Sequence, residues 1–273
     1  MGIDADSLGQ QILGDWQASL AALEWLQELG ALDPMLDAPL NRYDLAEREV
    51  AAARPQAQAA AKAAPIVTPP APKIDPVAVA QDAASRSQTL EALREALTTY
   101  PHCDLKKGAR NTVFADGNPK ARVMIVGEAP GRDEDLQGLP FVGRAGQLLD
   151  RMFAAIGLGR ASPDAERALY ISNVMPWRPP SNREPTPEEM AMMGPFLQRH
   201  VELADPEVIV VMGNTPAQAV LRQKGITRLR GQWTQAWGKP VLPMLHPAYL
   251  LRNPIAKREA WADLLSLQTH LRG

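Results

Sequence analysis

The sequence predicts an α/β fold with three layers, α/β/α, around a central and mainly parallel sheet of four strands. Two observations carry this. Four short runs rich in aliphatic and β-branched residues recur between residues 121 and 246, and stretches with helical spacing of apolar positions stand between them. Strand–helix alternation of this kind builds a parallel sheet covered by helices on both faces. Such sheets bind ligands beyond the C-terminal ends of their strands. The polar residues expected there are Glu128, Asn173 and His246.

The elements follow in chain order. Leu8, Ile12, Trp16, Leu20, Leu23 and Leu26 are spaced by three and four, with Gly30 as a stop, which predicts an amphipathic helix over 1–30. That stripe docks on the main domain or on a protein partner. From Ala51 to Lys73 the chain is mostly alanine, proline and glutamine, and Pro69, Pro70 and Pro72 forbid a continuing helix. Residues 31–74 are therefore expected to form a flexible linker, and the folded domain to span 75–273. Val77–Thr99 reads as helical. The four strands are Ala121–Glu128, Leu169–Val174, Glu207–Gly213 and Pro240–His246, with helices around Ala145–Ile156, Pro187–Leu203 and Pro216–Lys224.

Composition narrows the class. Hydrophobic residues at 45% and charged residues at 22% suit a globular protein, and the net charge of -2 supplies no global basic field. A locally basic groove remains compatible with that charge. The single cysteine, Cys103, excludes an intramolecular disulfide and points to a reducing compartment. Asp4 and Asp6 stand where a signal peptide carries positive charge, and no apolar run reaches membrane-spanning length. A soluble cytoplasmic monomer is expected.

Three strand ends run into distinctive segments. Gly127–Leu149 carries glycines at 127, 131, 138, 143 and 146, which allow a backbone to approach a ligand closely. It lacks the Gly-Lys-Ser/Thr ending of a phosphate loop, and Glu128, Asp133, Glu134 and Asp135 would repel phosphate. A nucleoside-triphosphate site is therefore excluded. In Ser172–Glu189, Asn173 and Asn182 bracket a proline-stiffened stretch. An asparagine amide offers a donor beside an acceptor, suited to a base edge; turn capping is the alternative role. In His246–Pro254, Tyr249, Leu250 and Leu251 stand beside Arg252. An apolar wedge with a cation suits invasion of a base stack, while packing beneath the loop is expected of at least one leucine.

The segments Gly-Glu-Ala-Pro-Gly (127–131), Pro-Phe-Val-Gly (140–143), Arg-Pro-Pro-Ser-Asn-Arg (178–183) and His-Pro-Ala-Tyr-Leu-Leu-Arg-Asn-Pro (246–254) occur in this order at strand ends. Together they resemble the uracil-DNA glycosylase superfamily, and within it family 4, over Tyr100–Leu271. The resemblance implies excision of uracil from single- or double-stranded DNA to leave an abasic site. It makes Phe141 the face on which a flipped uracil stacks and Asn173 the reader of its edge. His246 would donate to uracil O2 as the base departs, with the Gly127–Ala129 backbone assisting. Ala129 stands where better-known superfamily members place an aspartate to orient water. A glutamate–asparagine pair, matched here by Glu134 and Asn182, takes over that duty, and Glu128 also belongs to the motif. Leu250, Leu251 and Arg252 would contact DNA.

One departure is plain. Family 4 proteins bind a [4Fe–4S] cluster through four cysteines, as thiolate ligation requires. The matching positions here are Tyr100, Cys103, Trp177 and Met193. His102 beside Cys103 makes no second pair of ligands. No cluster and no metal are expected, with bulky side chains filling the space. A DNA-binding module without turnover, and a scaffold recruiting a partner through residues 1–30, are the alternative functions.

Overall fold

The computed structural model describes Leu20 and residues 74–273. Except for Leu20 and Ile74, the helix expected over 1–30 and the linker over 31–74 lie outside the described residues.

The expected helical stretch Val77–Thr99 is two helices, α1 (Pro76–Arg86) and α2 (Leu90–Thr99). Local side-chain bonds cause the break, because short hydroxyl side chains offer the backbone alternatives to a continuous helix. Asp75 accepts from the Val77 amide and starts α1, and Thr89 Oγ1 accepts from the Ala92 amide and starts α2. Between them the Ser87 hydroxyl donates back to the Ala83 carbonyl. A short α3 (Leu105–Gly108) leads to the sheet.

The sheet has six strands, not four, in the order β1-β3-β2-β4-β6-β5. The four expected strands form its parallel centre as β2 (Val123–Gly127), β3 (Leu169–Asn173), β4 (Val208–Met212) and β6 (Lys239–Met244). The additional β1 (Ala115–Gly117) and β5 (Thr234–Ala236) pair antiparallel at the two edges. Each is three residues long and only half-buried or exposed, too short to show a period of two. β5 and β6 are joined through Trp237 and Gly238, both with positive φ, as a tight hairpin turn of the twist-matching kind requires.

The remaining helices are α4 (Arg132–Gln137), α5 (Arg144–Ala154), α6 (Pro187–Ala204), α7 (Asn214–Leu221), α8 (Ile226–Leu229), α9 (Pro247–Arg252) and α10 (Lys257–Arg272). Alternate strand residues enter two separate cores. Met124, Val126, Ile209 and Val211 pack with α1, α2, α6 and α7, while Val123, Ile125, Val208 and Val210 pack with α5 and α10. Strands buried on both faces explain the unbroken apolar runs of the sequence. The three layers also fix the site, because β2, β3 and β6 end side by side around β4's own end.

Candidate active site

At those strand ends lies a cleft of about 320 Å³. Its wall includes Glu128 and Ala129 after β2, Asn173 at the end of β3, and His246 after β6. Phe141 and Glu134 come from the glycine-rich segment, Asn182 from the proline-stiffened one, and Arg252 from the end of α9. A second cleft of about 410 Å³ lies against α1 and α6, but no residue at the C-terminal end of one of the four parallel strands lines it.

Phe141 and Asn173 are drawn together by the absence of a side chain. Gly127 pairs in register with Asn173, and a Cβ at position 127 would lie 2.6 Å from Phe141 Cζ and collide with Asn173 Oδ1. Glycine is therefore required at 127 by close approach, not by φ.

Phe141 holds a left-handed backbone conformation, φ 53°, uncommon and costly for a bulky residue. The strain persists because the peptide groups around it are pinned. Arg160 donates through Nη2 to the Phe141 carbonyl (2.8 Å) and through Nη1 to the Pro140 carbonyl (2.9 Å). Asp150 and Asp116 fix that guanidinium at 2.8 and 2.9 Å. On the other side, Glu134 Oε1 accepts from the amides of Val142 (3.1 Å) and Gly143 (2.9 Å), and Oε2 from that of Gly131 (3.1 Å). Gly146 completes the clamp, since a Cβ there would run into the Phe141 backbone. Arg160 lies outside every motif read from the sequence and carries no local signal of its role.

His246 is defined by its own helix. Its Nδ1 accepts from the Ala248 amide at 3.1 Å, which places the ring proton on Nε2. Burial, with the Arg252 cation adding to it, pushes the pKa down to about 4. At neutral pH the ring is uncharged and presents an N–H donor. Phe141 stacks near it, ring centroids 5.4 Å apart.

Glu128 accepts from the Thr215 hydroxyl at 2.8 Å. Burial raises its pKa against that hydrogen bond, with Glu184 adding to the rise. Thr215, buried at the start of α7 beyond β4, stands in none of the three motif segments and carries no local signal of this contact. Asn182 sits in a 3-10 turn with φ 53°, and its Oδ1 accepts from Arg178 Nε at 2.8 Å.

The expected DNA-facing segment needs correction. Residues 247–252 form α9 rather than a loop, with Pro247 at the first helical position and His246 as cap. Leu250 is buried and packs in the core, so it is not presented to DNA. Leu251 is half-buried and Arg252 exposed. The helical period turns Leu250 inward three residues beyond the buried Pro247.

The four positions matching the cluster ligands lie in one apolar core, and Tyr100, Cys103, Trp177 and Met193 are all at most 2% exposed. The Tyr100 hydroxyl donates to the Pro76 carbonyl at 2.6 Å, and Trp177 Nε1 donates to Thr112 at 3.1 Å. Tyr100 also packs edge-on to Phe196, centroids 5.4 Å apart. These residues do not fit an iron–sulfur cluster, which needs thiolates where tyrosine, tryptophan and methionine stand. Among the described residues no group of three or more His, Cys, Asp or Glu is placed to hold a metal ion, and no helix is long and apolar enough to cross a membrane.

The family model for the uracil DNA glycosylase superfamily matches residues 114–265. The type-4 uracil-DNA glycosylase of Archaeoglobus fulgidus is 42% identical over 185 residues, covering 64% of this chain and 90% of that protein. That of Thermotoga maritima is 41% identical over 174 residues, covering 62% and 86%. That of Sulfurisphaera tokodaii is 37% identical over 177 residues, covering 61% and 77%. With the parallel sheet, the strand-end cleft and this match over more than half its length, the chain belongs to the uracil DNA glycosylase superfamily.

Proposed function

We propose that this chain is a monofunctional uracil-DNA glycosylase, hydrolysing the N-glycosidic bond of deoxyuridine in single- or double-stranded DNA to leave an abasic site. The observation that carries the reading is the meeting of Phe141, Asn173 and an uncharged His246 in one cleft.

The flipped base lies against Phe141. The Asn173 amide donates to uracil O4 and accepts from N3–H. Cytosine presents the reverse pattern at both positions and would leave buried polar groups unpaired. As the C1′–N1 bond breaks, its electron pair moves onto the base, and charge collects on O2. His246 Nε2–H is the donor for that charge, an oxyanion stabiliser that needs no proton transfer. Water adds to the oxocarbenium carbon, and the proton it gives up neutralises the departed uracil anion. Glu134 and Asn182 hold that water. Three backbone amides occupy three of the roughly four acceptor sites of the Glu134 carboxylate, leaving one for water. Glu128 and Ala129 line the base pocket. No lysine lines the cleft, so strand cleavage through an amine adduct is not part of the reaction.

The same reading has the enzyme working without an iron–sulfur cluster, as a cytoplasmic monomer. In this reading Leu251 and Arg252 contact DNA. The test is incubation with a uracil-containing single-stranded oligonucleotide followed by hot alkali. Scission at the uracil is expected from wild type and strongly reduced scission from His246→Ala. No scission with protein in excess over substrate refutes the reading.

A further inference from the structure

Leu250 is buried and Leu251 half-buried, and a far more exposed apolar side chain stands just beyond α9. Ile255 is 88% exposed, the most exposed large apolar side chain among the described residues. It stands on a 3-10 turn, Pro254–Ala256, immediately after α9. We propose that Ile255 is the wedge that enters the base stack as the uracil leaves it, and that Arg252, Lys257 and Arg258 hold the phosphates on either side. The inference rests on the glycosylase reading and adds to it the residue that opens the duplex.

Four observations support this assignment. The turn is stiff: Pro254 fixes its entry, the Asn253 carbonyl accepts from the Ala256 amide at 3.2 Å, and Asn253 Nδ2 donates to the Tyr249 hydroxyl at 3.0 Å. Ala256, buried next door, anchors the turn to the core. An isoleucine held this way loses little conformational freedom when it inserts, so its burial is not cancelled by ordering.

The turn is also continuous with the cleft. One six-residue helix, about 9 Å at 1.5 Å per residue, separates His246 from the turn, and Arg252 at its end lines the cleft itself. Finally, the flanking charge matches a polyanion. Arg252, Lys257 and Arg258 are all exposed within three residues of Ile255. An apolar tip ringed by cations suits a base step between two phosphates, whereas a protein partner would favour a broader apolar surface.

Deoxyuridine paired with adenine must be pulled from a stack on both sides, while a single strand offers little stack to break. Ile255→Ala should therefore lower the ratio of kcat/KM on a U·A duplex to kcat/KM on a single strand by about ten- to hundredfold, the range for losing a buried aliphatic side chain. A U·G duplex, already destabilised, should fall between. Ile255→Leu should restore most of the ratio. A duplex with 2-aminopurine beside the uracil should brighten when wild type binds and stay dim with Ile255→Ala.

A wild-type duplex-to-single-strand ratio in Ile255→Ala, or undiminished 2-aminopurine brightening, overturns the proposal. The fluorescence reads insertion without turnover. An inactive wild type that still unstacks the reporter through Ile255 would therefore sink the glycosylase reading and leave the wedge standing.

Discussion

A single methyl group added at Gly127 tests whether the pocket depends on the close approach of its two walls. The Cβ of Gly127→Ala would lie 2.6 Å from Phe141 Cζ, where carbon atoms prefer about 3.5–4.0 Å. It would also meet Asn173 Oδ1, so ring and amide must each retreat by about 1 Å. Neither moves freely. Asn173 ends a strand in register with Gly127, and the backbone of Phe141 is pinned by Arg160 and Glu134. Overpacking of this kind costs about 1–3 kcal/mol of stability. A misplacement of about 1 Å in a reacting complex costs on the order of a hundredfold in rate, about 2.7 kcal/mol. Gly127→Ala should therefore fold, melt several degrees lower, and release uracil about a hundred times more slowly at saturating single-stranded substrate. The assay is single-turnover release of labelled uracil beside a thermal melt. A folded variant with wild-type rate would refute the idea that these two side chains grip the base.

Other expectations follow from the same contacts. Glu134→Gln keeps an acceptor at one carboxylate position but puts an NH2 at the other, where it faces one or two of the three backbone N–H groups. It should lose about 1–3 kcal/mol of stability and at least tenfold in kcat; unchanged melting and rate would dismiss the clamp. His246, with its pKa at about 4, stays neutral through the mildly acidic range. A pH–rate profile on single strands should then show no histidine limb near 6.5, and activity should fall only as pH approaches 4.

His200, buried and bonded to the Tyr170 hydroxyl at 2.8 Å, has its pKa lowered by burial to about 3. Between that value and 6.5 the unfolded chain binds a proton that the folded one refuses. Stability present above pH 6.5 is thus lost as pH falls towards 3, on the order of 5 kcal/mol in full. A denaturation midpoint flat from pH 7 to 4 would contradict this. Trp177→Ala removes the largest of the buried side chains at the positions matching the cluster and should cost about 3–5 kcal/mol. Cys103→Ala should cost less than half as much and leave uracil release intact.

The sheet's centre could be read from sequence because its strands are buried on both faces, so each is a continuous apolar run. The edges could not, since Ala115–Gly117 and Thr234–Ala236 are strands only by pairing with a neighbour. Eight of the ten residues assigned to the site line the cleft, because the motifs sit at strand ends and the sheet brings strand ends together. Leu250 failed for a reason sequence spacing could have supplied: residues after a proline at a helix start follow the helical period, which turned it into the core. Arg160 and Thr215 act on Phe141 and Glu128 from 19 and 87 residues away, and long-range partners of this kind leave no local pattern. Tyr100, Trp177 and Met193 were identified by the residues they replace. Their packing into one core with Cys103 became visible only in three dimensions.

The central claim is that the uracil cleft works in a protein whose cluster positions are filled by side chains. It is tested most directly by measuring iron and uracil release on one chelator-treated preparation. Free uracil should appear with multiple turnovers, each matched by an abasic site, in protein holding less than about one iron per ten chains, where an occupied [4Fe–4S] site would hold about four per chain. Uracil release that is absent until iron and sulfide are restored would contradict the claim.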